Sequence, residues 1–205
     1  MLRHAWLPAL AWLIPGLAQA LDNDFVRVTR DAAPCARADT PGCAQRVIVA
    51  LGPVSLERGG SRHELARGDV AVFGPGESYC LPAGAAYFEV VIKPDHPASA
   101  APAEIIGPEK NAMRYDAERF FVFEERLAPG DIRARHSHSQ RVVIQLNRAR
   151  LRQWPDGKPQ IEFETEPERA TFSPPVIHVV QNIGEVPLRG IVIEFKPGLA
   201  GPAHQ

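Results

Sequence analysis

Arg46-Val47-Ile48-Val49-Ala50-Leu51 and Arg141-Val142-Val143-Ile144-Gln145-Leu146 are two versions of one phrase, a leading arginine followed by a run of mostly aliphatic residues. Outward from each, the match continues in the same order. Leu56-Glu57-Arg58-Gly59-Gly60 corresponds to Leu151-Arg152-Gln153-Trp154-Pro155-Asp156-Gly157, a strand end running into a glycine turn. Asp69-Val70-Ala71-Val72-Phe73-Gly74-Pro75 parallels Arg169-Ala170-Thr171-Phe172-Ser173-Pro174. Tyr87-Phe88-Glu89-Val90-Val91-Ile92-Lys93-Pro94 parallels Gly190-Ile191-Val192-Ile193-Glu194-Phe195-Lys196-Pro197. Four matched blocks in one order make the chain an internal repeat. Each copy consists of short runs rich in Val, Ile, Phe and Tyr cut by Gly, Pro and Asp, the pattern of antiparallel strands joined by turns. Twenty prolines among 205 residues, about twice the usual share, work against helices. The chain therefore reads as all-β, two barrels or sandwiches in tandem with little helix. Only Asn111 to Arg119 looks briefly helical.

The repeat sets the organisation. Residues 21–94 hold the first copy, 119–198 the second, 95–118 a linker and 199–205 a tail. The linker contains Asp95-His96-Pro97-Ala98-Ser99-Ala100-Ala101-Pro102, and both His96 and His63 stand in turn or linker contexts that predict solvation. Residues 1–20 read as a cleaved signal peptide. Arg3 precedes an apolar stretch from Ala5 to Leu17, broken by Pro8 and Pro15, and Ala18-Gln19-Ala20 supplies the small-x-small cleavage pattern. A spanning helix needs about 20 clean apolar residues, and this stretch is shorter. Cleavage after Ala20 removes one cation and no acid, taking the formal charge from −1 to −2. The expected location is periplasmic or secreted, with no membrane association after cleavage. Near-neutral charge leaves no basic surface for nucleic acid.

Cysteine usage fits an oxidising compartment. Cys35 and Cys43 bracket a short loop containing Pro41-Gly42, and pairing them would close a small ring contributing roughly 2–3 kcal/mol in the chain-entropy model. Cys80, after Tyr79 in a strand-like run, reads as a small buried hydrophobe. Spacing alone leaves the connectivity open.

The second copy carries the chemistry. Gly130-Asp131-Ile132-Arg133-Ala134-Arg135-His136-Ser137-His138 places two histidines two residues apart on a strand, hence on one face. Further on, Val176-Ile177-His178-Val179-Val180-Gln181-Asn182 presents His178 and Asn182, again of one parity. If the two strands face each other, three imidazoles converge inside an apolar barrel. Neutral imidazole is the commonest ligand of Zn, Fe, Cu and Ni, and burying three unpaired imidazoles is costly without something to satisfy them. Arg133 and Arg135 have the opposite parity, so both are expected outside unless a bulge shifts the register. By the repeat, Tyr79 stands where His178 does and Cys43 falls near the place of His138, so the first copy looks silent.

These motifs resemble the cupin superfamily, specifically its two-domain bicupins. Its first motif is Gly, five residues, His-x-His, three or four residues, then Glu; Gly130, His136 and His138 fit it. Its second motif ends in His, three residues, Asn, as His178 and Asn182 do, whereas Pro174-Pro175-Val176 departs from the usual Pro-x-Gly. The resemblance implies two tandem double-stranded β-helix (jelly-roll) barrels, the first degenerate, with a divalent transition metal (Fe, Zn, Mn, Cu or Ni) on His136, His138 and His178 of the second. Val142 or Val143 stands where the family has Glu, a departure shared with its three-histidine dioxygenases. Three neutral ligands leave the ion its full +2, which favours an anionic ligand. Gln140, Val142, Phe172 and Asn182 are the expected pocket or substrate contacts, with Asn182 also readable as a turn residue.

Three readings follow. The first is an exported metal-dependent oxygenase, isomerase or lyase acting on a small anionic molecule. The second is a non-catalytic cupin binding a sugar or carboxylate beside a decayed metal site. The third is an assembly protein whose strand-rich barrels pair, compatible with a homo-oligomer.

Overall fold

The computed structural model describes residues 21–31, 35–36, 45–106 and 111–199. The expected signal segment 1–20, Cys43, and residues 200–205 of the tail lie outside the described residues. Eighteen strands and no helix occur among those described. The first nine are β1 (Leu21–Asp22), β2 (Val26–Arg30), β3 (Cys35–Ala36), β4 (Gln45–Ala50), β5 (Val54–Arg58), β6 (Ser61–Leu65), β7 (Val70–Phe73), β8 (Tyr79–Cys80) and β9 (Tyr87–Ile92). The second nine are β10 (Asn111–Asp116), β11 (Phe120–Leu127), β12 (Ile132–His138), β13 (Arg141–Gln145), β14 (Arg150–Pro155), β15 (Ile161–Glu164), β16 (Ala170–Ser173), β17 (Val176–Asn182) and β18 (Leu188–Phe195).

The repeat in the sequence is a repeat in topology. The first half forms sheets ordered β1-β2-β9-β4-β7 and β3-β8-β5-β6; the second forms β10-β11-β18-β13-β16 and β12-β17-β14-β15. Alternation decides what each large sheet buries. On β18, Ile191, Ile193 and Phe195 face one way, and they join Val142 and Ile144 of β13 and Phe120 and Val122 of β11. That surface shares one core with Val26, Val28, Val47, Val49, Phe88, Val90 and Ile92 of the first half. The two five-stranded sheets are thus stacked back to back, and the largest core is the seam between the halves.

The opposite face of each large sheet looks into its own barrel. In the first half that interior is filled by Ile48, Ala50, Leu56, Phe73, Tyr79 and Tyr87. In the second, a small cluster of Leu127, Ala149, Leu151, Val180 and Leu188 occupies only part of the space. The rest is polar.

Three expectations are corrected. Asn111–Asp116 is a strand, not a helix, and pairs antiparallel with β11, so part of the expected linker belongs to the second half's large sheet. His96 is not solvated: it is 1% exposed, stacked on Phe25 at 5.5 Å and edge-on to Phe195 at 5.1 Å. The linker runs back over the seam here, tied by hydrogen bonds between Ser99 and the main chain of Gly198 and Leu199. Cys80 is disulfide-bonded rather than a lone small hydrophobe. With three cysteines in the chain, that bond excludes a Cys35–Cys43 ring. Strand pairing sets the backbone of Cys35 directly across from Cys80.

Candidate metal centre

β12 and β17 run antiparallel with His136 opposite His178, so two of the three imidazoles are cross-strand neighbours, and His138 follows on the same face two residues along. Gly130, at φ +79°, turns the chain into β12 in a backbone conformation that side chains disfavour. All three histidines are buried, at 1%, 4% and 4% exposure.

Hydrogen bonds fix the tautomers. His136 Nδ1 lies 2.8 Å from the carbonyl oxygen of Ala134, and His138 Nδ1 lies 2.7 Å from Glu194 Oε2. Both partners accept, so both Nδ1 atoms donate, and His136, which burial keeps neutral, carries a bare lone pair on Nε2. Yet His136 Nε2 sits 3.1 Å from His138 Nε2 and 3.1 Å from His178 Nε2. The single lone pair of His136 Nε2 thus faces two further ring nitrogens at once, and one proton can bridge only one of the two contacts. A divalent ion held by imidazoles at about 2.0–2.1 Å sets neighbouring nitrogens roughly 2.9–3.4 Å apart; both His136 contacts fall in that range, and all three ligand atoms lie within 4.8 Å of one another. They are the one group of three or more His, Cys, Asp and Glu ligand atoms among the described residues that could hold an ion. Burial lowers the His136 pKa to about 4, against an opposing bond to Ala134. Burial, reinforced by the other two histidines, lowers that of His178 to about 2. Both are therefore neutral, as ligands must be.

Glu194 supports the centre. Besides accepting from His138, it accepts the Ser139 main-chain N–H at 2.8 Å through Oε1, and Phe123 stacks parallel to the His138 ring at 6.2 Å. Such a carboxylate behind a histidine fixes its ring orientation and raises its basicity. The signal was legible: an acid inside the apolar run Ile191-Val192-Ile193-Glu194-Phe195 needs a partner.

A cavity of about 370 Å³ opens beside the histidines, lined by His138 and His178 together with Glu125, Arg141, Val143, Gln145, Gln153, Thr171 and Ser173. Leu151, Val180, Val192, Ile161 and Phe163 supply apolar wall. The register of β12 slips by one residue between Arg133 and His136. This bulge turns Arg133 inward, against the plain alternation expected, and it is 0% exposed with Nη1 2.9 Å from Glu125 Oε1. Arg135 is outside as expected, paired with Glu104 and Asp156.

The three histidines meet; the other expected contacts do not join them. Val142 lies in the seam core and Phe172 packs against it, because the corner at Ser139-Gln140 gives the inward face of β13 to Arg141, Val143 and Gln145. Val143 therefore occupies the wall where a carboxylate ligand was sought. Gln140 binds the linker instead, its Oε1 accepting from Ala100 N at 2.9 Å. Asn182 is a turn residue, donating to the carbonyls of Leu127 and Val186 and accepting from Gly184 N. In the first half, Tyr79 is buried and donates to Glu89 at 2.6 Å, with burial pushing its phenol pKa up.

No protein-family profile matches the chain, and no curated protein matches it. Solved structures do. A cupin 2 conserved barrel domain protein from Leptotrichia buccalis superposes with TM-score 0.55 at 13% identity, covering 86% of each chain. A variant of the salicylate 1,2-dioxygenase from Pseudoaminobacter salicylatoxidans gives 0.57 at 11% identity, over 89% of this chain and 78% of that one. Bacillus subtilis oxalate decarboxylase gives 0.54 at 13%, over 86% and 69%. At such identities the likeness speaks for architecture alone. The chain has an all-β jelly-roll fold similar to that of these cupin structures.

Proposed function

We propose that this chain is an exported metal-dependent enzyme, an oxygenase, isomerase or lyase, that binds a divalent transition metal on His136, His138 and His178 and acts on a small anionic molecule. The observation that carries this reading is the convergence of three buried Nε2 atoms, with that of His136 lying 3.1 Å from both His138 and His178. When bound, the ion supplies a Lewis-acidic centre beside the cavity. Glu194 orients His138, the Ala134 carbonyl orients His136, and the apolar wall of Leu151, Val180 and Val192 limits water. Ligation by three neutral groups favours an anion in the cavity. The similar folds include a salicylate dioxygenase and an oxalate decarboxylase, both named for small carboxylates.

Metal analysis of the purified protein tests the site: wild type is expected to hold about one ion, and His136→Ala and His178→Ala to lose it. Wild-type metal content in both variants would sink the assignment. Val143 in place of a carboxylate favours a second reading, a non-catalytic small-molecule-binding cupin. Metal-loaded protein that binds carboxylates but turns over none of a panel, with and without dioxygen, would select it. Export is tested by fractionation, with a mature N-terminus at Leu21 expected.

A further inference from the structure

We propose that Arg141 is the anion-recognition residue of the cavity, and that the ligand is a small carboxylate held between this guanidinium and the three-histidine centre. The proposal rests on the metal reading above. Arg141 is 9% exposed and lines the cavity with His138 and His178. Its Nη1 donates to the main-chain oxygens of Ser139 at 3.2 Å and Pro174 at 2.9 Å, which fixes the guanidinium plane. Among the described residues no hydrogen bond to Nε or Nη2 is formed and no carboxylate pairs with it. The two acids near enough to act on it electrostatically are engaged elsewhere: Glu194 with His138 and Ser139, Glu125 with Arg133.

Its neighbours show how unusual this is. Arg133, more deeply buried, has the Glu125 carboxylate at 2.9 Å, although none of its three guanidinium nitrogens makes a well-aligned hydrogen bond. Arg46, the matching position in the first copy, has Glu89 at 3.6 Å. Arg141 is placed there by strand alternation opposite Glu194 and Ser173, and a buried guanidinium with no carboxylate bonded to its free donors carries a desolvation cost. An entering carboxylate supplies a hydrogen-bonded counter-charge, with a pair of acceptors that match the guanidinium fork. The rest of the wall mixes apolar side chains (Leu151, Val180, Phe163) with polar ones (Gln145, Gln153, Thr171) and the volume is small, so the rest of the ligand is compact.

Benzoate and its neutral isostere benzamide are suitable probes, titrated calorimetrically into metal-free and Co(II)-loaded protein. Loaded wild type is expected to bind benzoate at least about tenfold more tightly than benzamide. Arg141→Gln should abolish that preference while Co(II) content stays at the wild-type level, and Arg141→Lys should restore part of it. Equal affinity for the two probes in wild type, or undiminished benzoate binding by R141Q, overturns the proposal. Should R141Q fail to fold, the wild-type ratio and R141K decide: a preference that R141K leaves entirely unchanged also overturns it. If wild type takes up no Co(II), the metal reading fails on its own, and the metal-free titration decides Arg141. An Arg141-dependent benzoate preference there upholds the proposal, and its absence ends it.

Discussion

His138 is held from two sides, by Glu194 at its Nδ1 and by the face of Phe123, so its Nε2 can point only toward His136 and His178. A carboxylate behind a ligating histidine typically contributes 10–100-fold to metal affinity. Glu194→Gln is accordingly expected to weaken metal binding by about that factor without unfolding the protein, as read by competition with a chromophoric chelator. Val143→Glu makes the opposite change. It places a carboxylate on the cavity wall beside the three histidines, and is expected to tighten metal binding while lowering anion affinity by partly neutralising the site. The legibility of these residues differs. The histidines were readable from spacing, and Glu194 was readable as an acid in an apolar run. Arg141 was not, because its facing depends on the Ser139-Gln140 corner, a feature that strand alternation alone does not locate.

At the scale of elements, the one-residue bulge in β12 is what gives the barrel its Arg133–Glu125 pair. Without it, Arg133 would share the outward face of Arg135, as plain alternation expects. On the other face of β11, Glu124 is wholly buried and gathers Arg114 from β10, Arg126 from its own strand and Arg189 from β18. Burial alone would raise its pKa, but the three guanidinium bonds prevail and hold it at about 2, against 4.5 for a free glutamate. The native state thus binds this proton less readily than the unfolded chain does. Its contribution to stability is complete above about pH 4.5 and is lost as pH falls toward 2, an effect of order 2–3 kcal/mol. Denaturant midpoints measured from pH 7 to 2.5 should fall across that window in wild type. In Glu124→Gln, starting from a lower stability, the fall should be shallower.

At the scale of the whole molecule, the seam between the halves is the main core. Phe195 is fully buried there, with its ring 5.0 Å from Phe25 of the first half and edge-on to His96. Truncating such a ring typically costs 3–5 kcal/mol, so Phe195→Ala should lose about that much. Because Val28 and Val90 of the first half share this core, unfolding is expected as one transition seen by calorimetry, and Phe195→Ala should lower it without splitting it. Two separate transitions in wild type would show that the halves unfold independently. Polar contacts close the rim: Glu168 accepts from both Arg30 and Arg67, and Arg67 reaches the carbonyls of Leu51 and Leu146. Gly68, at φ +88°, lies where a Cβ would come within 2.8 Å of Leu146 Cδ1 across the seam, so an alanine there is strained in its backbone and requires the Leu146 side chain to shift.

What the amino-acid order determined alone was whatever depends on local period: strands from alternation and turn residues, two copies from matched blocks, and a histidine trio from parity within β12 and β17. What only the tertiary structure decided depends on which face of a strand meets which neighbour. Val142 and Phe172 went to the seam because two large sheets stack there. Arg133 and Arg141 entered the barrel because a bulge and a corner reset the alternation. His96 was buried because the linker doubles back across the seam. Cys80 is bridged because pairing in three dimensions outweighs nearness along the chain.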